Sequence, residues 1–211
     1  TKGIGHTEFK DSELGRIPKS WEVTNLEQYC SSVRDGTHES PKRTTTGYQL
    51  VTSKNLKSGK LDFSTCYNIS NEDFHSINQR SKVDAFDILF GMIGTVGNPV
   101  VVQKNDLPFA IKNVALLKFD SDKNKSAWLF AYLDSSLCTQ KIDKDLSGST
   151  QSFISLGYLR NFNIPVPTAL EQVQITKISA AINDQIQKYS MKLSQTQSLK
   201  KSLMQDLLTG N

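Results

Sequence analysis

A chain of 211 residues, 37% hydrophobic and 22% charged, has the balance of a folded globular protein; that balance excludes a disordered or fibrous one. Its net charge of +4 is modest but unevenly placed: Ser31–Lys60 carries Arg34, Lys42, Arg43, Lys54, Lys57 and Lys60 against Asp35 and Glu39, an excess equal to that of the whole chain. No apolar run approaches bilayer length, and no charged-then-apolar leader opens the chain, which argues against a membrane protein; three scattered cysteines fit a reducing compartment and make the cytoplasm the expected location.

In chain order, "YQLVTSKNL" (Tyr48–Leu56) predicts a strand, "KSGK" (Lys57–Lys60) a turn, and "LDFSTCYNI" (Leu61–Ile69) the returning strand. Ser70 with Asp73 three residues later predicts the capped start of a short helix. "DAFDILF" (Asp84–Phe90) reads as a strand that breaks at "GMIGTVGNP", and "PVVVQ" and "VALLKF" (Val114–Phe119) as buried strands. "SAWLFAYLDSSLCTQ" (Ser126–Gln140) predicts one helix capped by Ser126, with Leu129, Leu133 and Leu137 facing a core. Short strands with scattered helices and no regular βαβ period give an α+β fold.

Composition shifts at "NIPVPT" (Asn163–Thr168), where two prolines demand an extended connector. From Leu170 to Leu208 glycine and proline vanish, and Ile175, Ile178, Ile182, Ile186, Tyr189, Leu193, Thr196, Leu199, Leu203 and Leu207 recur with a mean period of about 3.6. Such a helix is roughly 58 Å long and outreaches a globular domain of the remaining size. Its apolar stripe calls for a partner helix, and a second copy of the chain is the simplest one. Gly210 is the expected stop.

Enzyme motifs are missing. Gly91, Gly94 and Gly97 lack the Gly-Lys-Ser/Thr ending of a phosphate loop and read as a tight turn. His6, His38 and His75 are too scattered to predict a metal site, and Cys30, Cys66 and Cys138 form neither a Cys-x-x-Cys nor an even disulfide set. No Gly-x-Ser-x-Gly elbow occurs, and no glycine-rich loop for S-adenosylmethionine. No catalytic residue is assigned.

The residues that carry a family likeness lie in order along the chain: "ELGRIPKSWEV" (Glu13–Val23), "DGTHESP" (Asp35–Pro41), "LVTSKNLKSGKLDF" (Leu50–Phe63), "DILFGMIGTVGNPVVV" (Asp87–Val102), "GSTQSFISLGYLRNFNIPVP" (Gly148–Pro167), "EQVQI" (Glu171–Ile175) and "LKKSLMQDLLTG" (Leu199–Gly210). Together they resemble the specificity subunits of type I restriction-modification systems over nearly the whole length. The resemblance implies a target recognition domain over residues 1–167 that reads half of a split DNA site. It implies a spacer helix over 168–211 that pairs as an antiparallel coiled coil. The chain itself would be non-catalytic and hold no cofactor: modification subunits bring S-adenosylmethionine for adenine methylation, and a restriction subunit brings ATP- and Mg-dependent cleavage. Complete subunits carry two recognition domains and two spacers, whereas this chain has one of each. Thr1 in place of Met, and an opening "TKGIGHTEFKDSELG" similar to the junction before a second recognition domain, predict a half-subunit or an excised half. Two copies would then form a homodimer that reads an inverted repeat.

On that reading Lys42, Arg43, Lys54, Lys57 and Lys60 are candidates to neutralise phosphates of double-stranded DNA. Thr44, Thr45, Thr46 and Asn55 are candidate donors to phosphates or base edges, and Arg43–guanine is the most discriminating pairing. Ser149, Thr150 and Gln151 read bases or clamp phosphate. Asp35 and His38 brace the turn around Gly36, expected at positive φ, and Trp21, Trp128 and Phe153 belong to the core. Glu171, Gln172 and the helix lysines form a solvated face or a docking strip. Two rivals stand beside this reading: a coiled-coil adapter that binds protein rather than DNA, and a small hydrolase whose titratable cluster would have to be gathered by folding.

Overall fold

The computed structural model describes residues 5–147 and 153–210. These fall into two compact units, divided between Gln172 and Val173. The first is a mixed α and β lobe.

The lobe opens with a hairpin of β1 (Phe9–Ser12) and β2 (Gly15–Pro18). Then come β3 (Glu22–Asn25), the short α1 (Leu26–Tyr29) capped by the Asn25 side chain, and β4 (Ser32–Asp35). After β5 (Tyr48–Val51) the chain does not continue as the strand expected to Leu56. Asn55 Oδ1 accepts from both the amide and the hydroxyl of Thr52 and closes a 3₁₀ turn over Ser53–Asn55, because short polar side chains offer the backbone an alternative to the ladder. The expected turn follows as the hairpin of β6 (Leu56–Lys57) and β7 (Lys60–Leu61), with Ser58 at φ 48° and Gly59 at φ 75°. The returning strand is likewise split: Asp62 caps a 3₁₀ turn over Phe63–Thr65, and only β8 (Tyr67–Ile69) returns antiparallel to β5.

Ser70 caps α2 (Asn71–Ser81) by accepting from the Asp73 amide, as expected. The next strand starts late. Asp87 Oδ2 accepts from the Asp84 amide, which turns the chain before β9 (Ile88–Gly91). β10 (Gly97–Val101), β11 (Ala110–Ile111) and β12 (Val114–Lys118) complete the strands of the centre. The single helix expected over 126–140 is two, α3 (Lys123–Leu133) and α4 (Ser136–Leu146). Asp122, not Ser126, caps the first, and Ser135 caps the second after a break at Asp134. Ser126 instead lies buried inside α3 and donates to the Phe86 carbonyl at 2.6 Å; Leu137 is exposed, while Leu129 and Leu133 are buried. The lobe ends with α5 (Leu156–Arg160) and β13 (Asn163–Val166), which pairs antiparallel with β3 from Asn163 opposite Asn25 to Val166 opposite Glu22.

Two sheets carry the core. One runs β10-β9-β12-β4 and is antiparallel throughout; the other runs β11-β5-β8. Strand alternation sorts neighbours to opposite faces. Val51 and Ile111 join Leu89, Val100, Phe109 and Leu116 in one cluster, whereas Leu50 and Ala110 join Ile69 and Phe74 in another. Tyr48 stacks on Phe74 with ring centroids 3.7 Å apart.

α6 (Ala169–Thr209) spans 41 residues. Thr168 and Glu171 form a reciprocal cap at its start: Glu171 Oε2 accepts from the Thr168 amide and hydroxyl. Gly210, at φ 72°, ends it and donates to the Asp206 carbonyl. Along the helix Ile178, Ile182, Ile186, Tyr189, Leu193, Leu199, Leu203 and Leu207 are exposed, and Ile175 is partly covered. Ile178, Ala181, Ile182, Gln185, Ile186 and Tyr189 line one apolar hollow on its surface.

Candidate nucleic-acid interface

Strand register brings separate loops to one end of the β10-β9-β12-β4 sheet. β4 ends at Asp35 opposite Ala115, β12 begins at Val114 opposite Gly91, and β10 begins at Gly97, also opposite Gly91. The turn after Asp35, the residues before Val114 and the glycine loop 91–97 therefore share an edge. Thr37 bridges Lys112, and its carbonyl accepts from the Asn113 amide. The Ser53 hydroxyl donates to the Asn113 carbonyl and so holds the 53–55 turn at the same place. Ile93 bridges Phe153, and the Ile154 amide donates to Met92, which brings in the segment before α5.

The backbones here are too close for ordinary side chains. A Cβ on Gly36 would lie 2.3 Å from the Ile111 carbonyl oxygen, and one on Gly91 would lie 2.3 Å from that of Thr95. Gly36 is thus required by close approach rather than by the positive φ expected of it; Gly94 and Gly97 do adopt positive φ, at 74° and 93°. His38 and Asp35 brace the turn as expected: His38 Nε2 lies 2.9 Å from Asp35 Oδ2, and Nδ1 lies 2.8 Å from Asn113 Oδ1. Arg80 adds bonds to Asp35 Oδ1 and the Gly36 carbonyl, both 3.1 Å.

The candidate contacts of the basic stretch divide among three places. Lys54, exposed and without an ion pair among the described residues, stands beside the shared edge on the 53–55 turn. Lys42 to Thr46 lie along the outer side of β8, where the Thr44 amide donates to the Asn68 carbonyl and the Asn68 side chain donates to Thr45. Arg43 is exposed and lies 4.8 Å over the Tyr67 ring. Thr45 and Thr46 are exposed, whereas the Thr44 hydroxyl is buried without a partner among the described residues. Lys60 is exposed on the β6–β7 hairpin; Lys57, beside it, pairs with Asp62 at 2.5 Å. That lysine, with Ser64, holds the Asp62 carboxyl far below the usual carboxylate range.

Asn55 leaves the set of candidate contacts. It is only 2% exposed, and beyond its two bonds to Thr52 its amide donates to the Asp62 carbonyl and the Thr65 hydroxyl. Every side-chain polar atom is committed to joining the 53–55 and 63–65 turns, so nothing remains for DNA. Ser149, Thr150 and Gln151 lie outside the described residues. Trp128 is buried, and Trp21 is partly so and donates to Glu171. Phe153 is not core: it is 45% exposed, beside Ile93 at 42%. Sequence reading missed Ile93 and Lys112 as members of this edge. Their signal was long-range pairing, which no local period carries.

Among the described residues no group of three or more His, Cys, Asp or Glu could hold a metal ion, and no helix is long and apolar enough to cross a membrane. Residues 18–194 match the family described as the type I restriction modification DNA specificity domain. The chain belongs to that family. The matched span contains all the loops at the shared edge and the first part of α6. Two curated relatives, both from Methanocaldococcus jannaschii, align with the whole chain: a putative type I restriction enzyme MjaX specificity subunit at 30% identity, with 48% of its length covered, and the type I restriction enzyme MjaVIII specificity subunit at 27%, with 51% covered. The chain thus spans about half the length of these relatives. Among solved structures, the HsdS subunit from Thermoanaerobacter tengcongensis superposes with a TM-score of 0.57 at 21% identity, over 90% of this chain and 42% of that one. The type I system S subunit from M. genitalium does so at 0.57 and 14%, over 88% and 45%. These likenesses establish the α+β lobe with its long helix as the specificity-domain fold.

Proposed function

We propose that this chain is a half-length specificity module. Residues 1–167 act as a target recognition domain that reads one half of a bipartite DNA site, and residues 168–211 form the spacer helix. Two copies pair antiparallel through Ile175, Ile178, Ile182, Ile186, Tyr189, Leu193, Leu199, Leu203 and Leu207, so identical lobes read an inverted repeat. The dimer scaffolds modification subunits, which use S-adenosylmethionine to methylate adenine, and a restriction subunit, which cleaves with ATP and Mg. This chain supplies address rather than chemistry.

The reading rests most on the convergence of separate loops at one sheet edge, beside the exposed Lys54, within a span that matches the DNA specificity family. Phosphate contacts from Lys42, Arg43, Lys54 and Lys60 would position the duplex, and loop side chains would face base edges. The test is to co-express the chain with a modification subunit and map N6-methyladenine genome-wide. Methylation at two inverted half-sites with a fixed gap is expected; complete absence of sequence-specific methylation overturns the proposal.

A further inference from the structure

Met92 and Ile154 are 2% and 1% exposed, while their neighbours Ile93 and Phe153 are 42% and 45% exposed. The alternation follows from the bridge between the two segments: turning Met92 and Ile154 into the core turns Ile93 and Phe153 outward. Geometry fixes the direction but not the residue type. A single exposed apolar side chain is ordinary. Two that are paired across a backbone bridge, at the edge where the loops meet, form a small rigid apolar spot.

Its size limits what can cover it. Two such side chains offer at most about 400 Å², half of what one partner contributes to a standard protein interface. Its surroundings point to an anion-rich ligand. The glycine loop that carries Ile93 starts at Gly91, where an added Cβ would meet Ser53 Cβ at 3.5 Å, and Ser53 adjoins Lys54, which has no ion pair among the described residues. Lys112 lies on the same edge, bridged to Thr37. An apolar pair on the same edge as Lys54 and as Lys112, whose Nζ donates to the Ser40 hydroxyl, matches a duplex whose phosphates flank the groove floor. The apolar group on that floor is the C5-methyl of thymine, which projects into the major groove.

We infer that Ile93 and Phe153 form an apolar reader that selects a thymine in the half-site through its C5-methyl group. This inference rests on the DNA-reading role proposed above and adds a base identity to it.

The whole 211-residue chain tests it by selection from a randomised duplex pool, run beside Ile93→Ala and Phe153→Ala. The wild type is expected to select a motif with a fixed A·T pair that both variants no longer demand, while their melting temperatures stay unchanged. Replacing that thymine by deoxyuridine, which lacks only the methyl group, should weaken wild-type binding about fourfold and leave Phe153→Ala indifferent. The deoxyuridine duplex needs no variant and so is independent of folding defects. Unchanged motifs in both variants, or no response to deoxyuridine, overturn the inference and leave the DNA-reading role intact. So does loss of modification-subunit binding with the motif retained. Failure of the wild type to select any motif sinks the DNA-reading role itself, and the apolar reader with it.

Discussion

The Trp21 indole donates to Glu171 Oε1 at 3.0 Å, tying the residue before β3 to the first turn of α6. Glu171 also takes His6 Nε2 at 2.5 Å on the same oxygen and the Thr168 amide and hydroxyl on the other. Partial burial works to raise its pKa, but the bonds from Thr168, Trp21 and His6 outweigh it and hold the carboxyl at about 2, against an ordinary 4.5.

A depressed carboxylate pKa contributes stability that is complete above the unfolded value and lost as the pH falls through the folded one. The acid limb of the stability curve should therefore contain a contribution from Glu171 between about pH 4.5 and 2. Glu171→Gln should flatten that limb and cost about 1 kcal/mol at neutral pH through the weakened cap. Urea melts across the pH range measure both.

Gly36→Ala should be among the most damaging small substitutions. Its Cβ would meet the Ile111 carbonyl at 2.3 Å, with Lys112 N at 2.8 Å, and neither backbone atom can move without shifting β11. A loss of roughly 2–4 kcal/mol is expected, visible as a lowered urea midpoint.

Asn55→Ala and Lys54→Ala are neighbours in sequence with opposite expected outcomes. Removing Asn55, itself 2% exposed, takes the acceptor from the Thr52 amide and the amide donor from the Asp62 carbonyl and should cost about 2–3 kcal/mol. Removing the exposed Lys54 should leave stability within about 0.5 kcal/mol while lowering the salt slope of DNA binding by about one. Thermal melts and salt titrations of duplex affinity separate the two.

Lys118 Nζ sits 2.7 Å from Asp87 Oδ2 and 2.8 Å from Asp84 Oδ2. Burial pushes the Asp87 carboxyl up and Lys118 draws it back. Since Asp87 is only 2% exposed, Lys118→Ala leaves a buried charge uncompensated and should cost about 3–5 kcal/mol. Lys118→Ala with Asp87→Asn should recover much of that loss in the same denaturation assay.

The helix seam is tested by charge. Ile182→Asp with Ile186→Asp should convert the proposed dimer to monomer in sedimentation equilibrium and leave the helical circular dichroism of the lobe in place. A wild type that sediments as a monomer would remove the paired-reader part of the proposal.

Local chemistry made much of this legible. The Ser70–Asp73 cap, the 57–60 hairpin and the α6 period are written within a few residues of where they act. Errors arose where short polar residues compete with the ladder: Thr52–Asn55 and Asp62 each broke an expected strand, and Asp134–Ser135 divided an expected helix. The edge itself was legible only in part. Lys54 belongs to a basic stretch, but Ile93 meets Phe153, and Lys112 meets Thr37, through pairings across tens of residues that no window of sequence contains.

The antiparallel contact of β3 with β13 has a consequence for how such a chain changes over time. Residues 22–25 and 163–166 lie side by side, so everything from Leu26 to Phe162 hangs from one double stem. A cassette with adjacent ends can be swapped for another of different length without moving either flank. On the proposed function, recombination at that stem would replace the address in a single event while the frame around it stays whole.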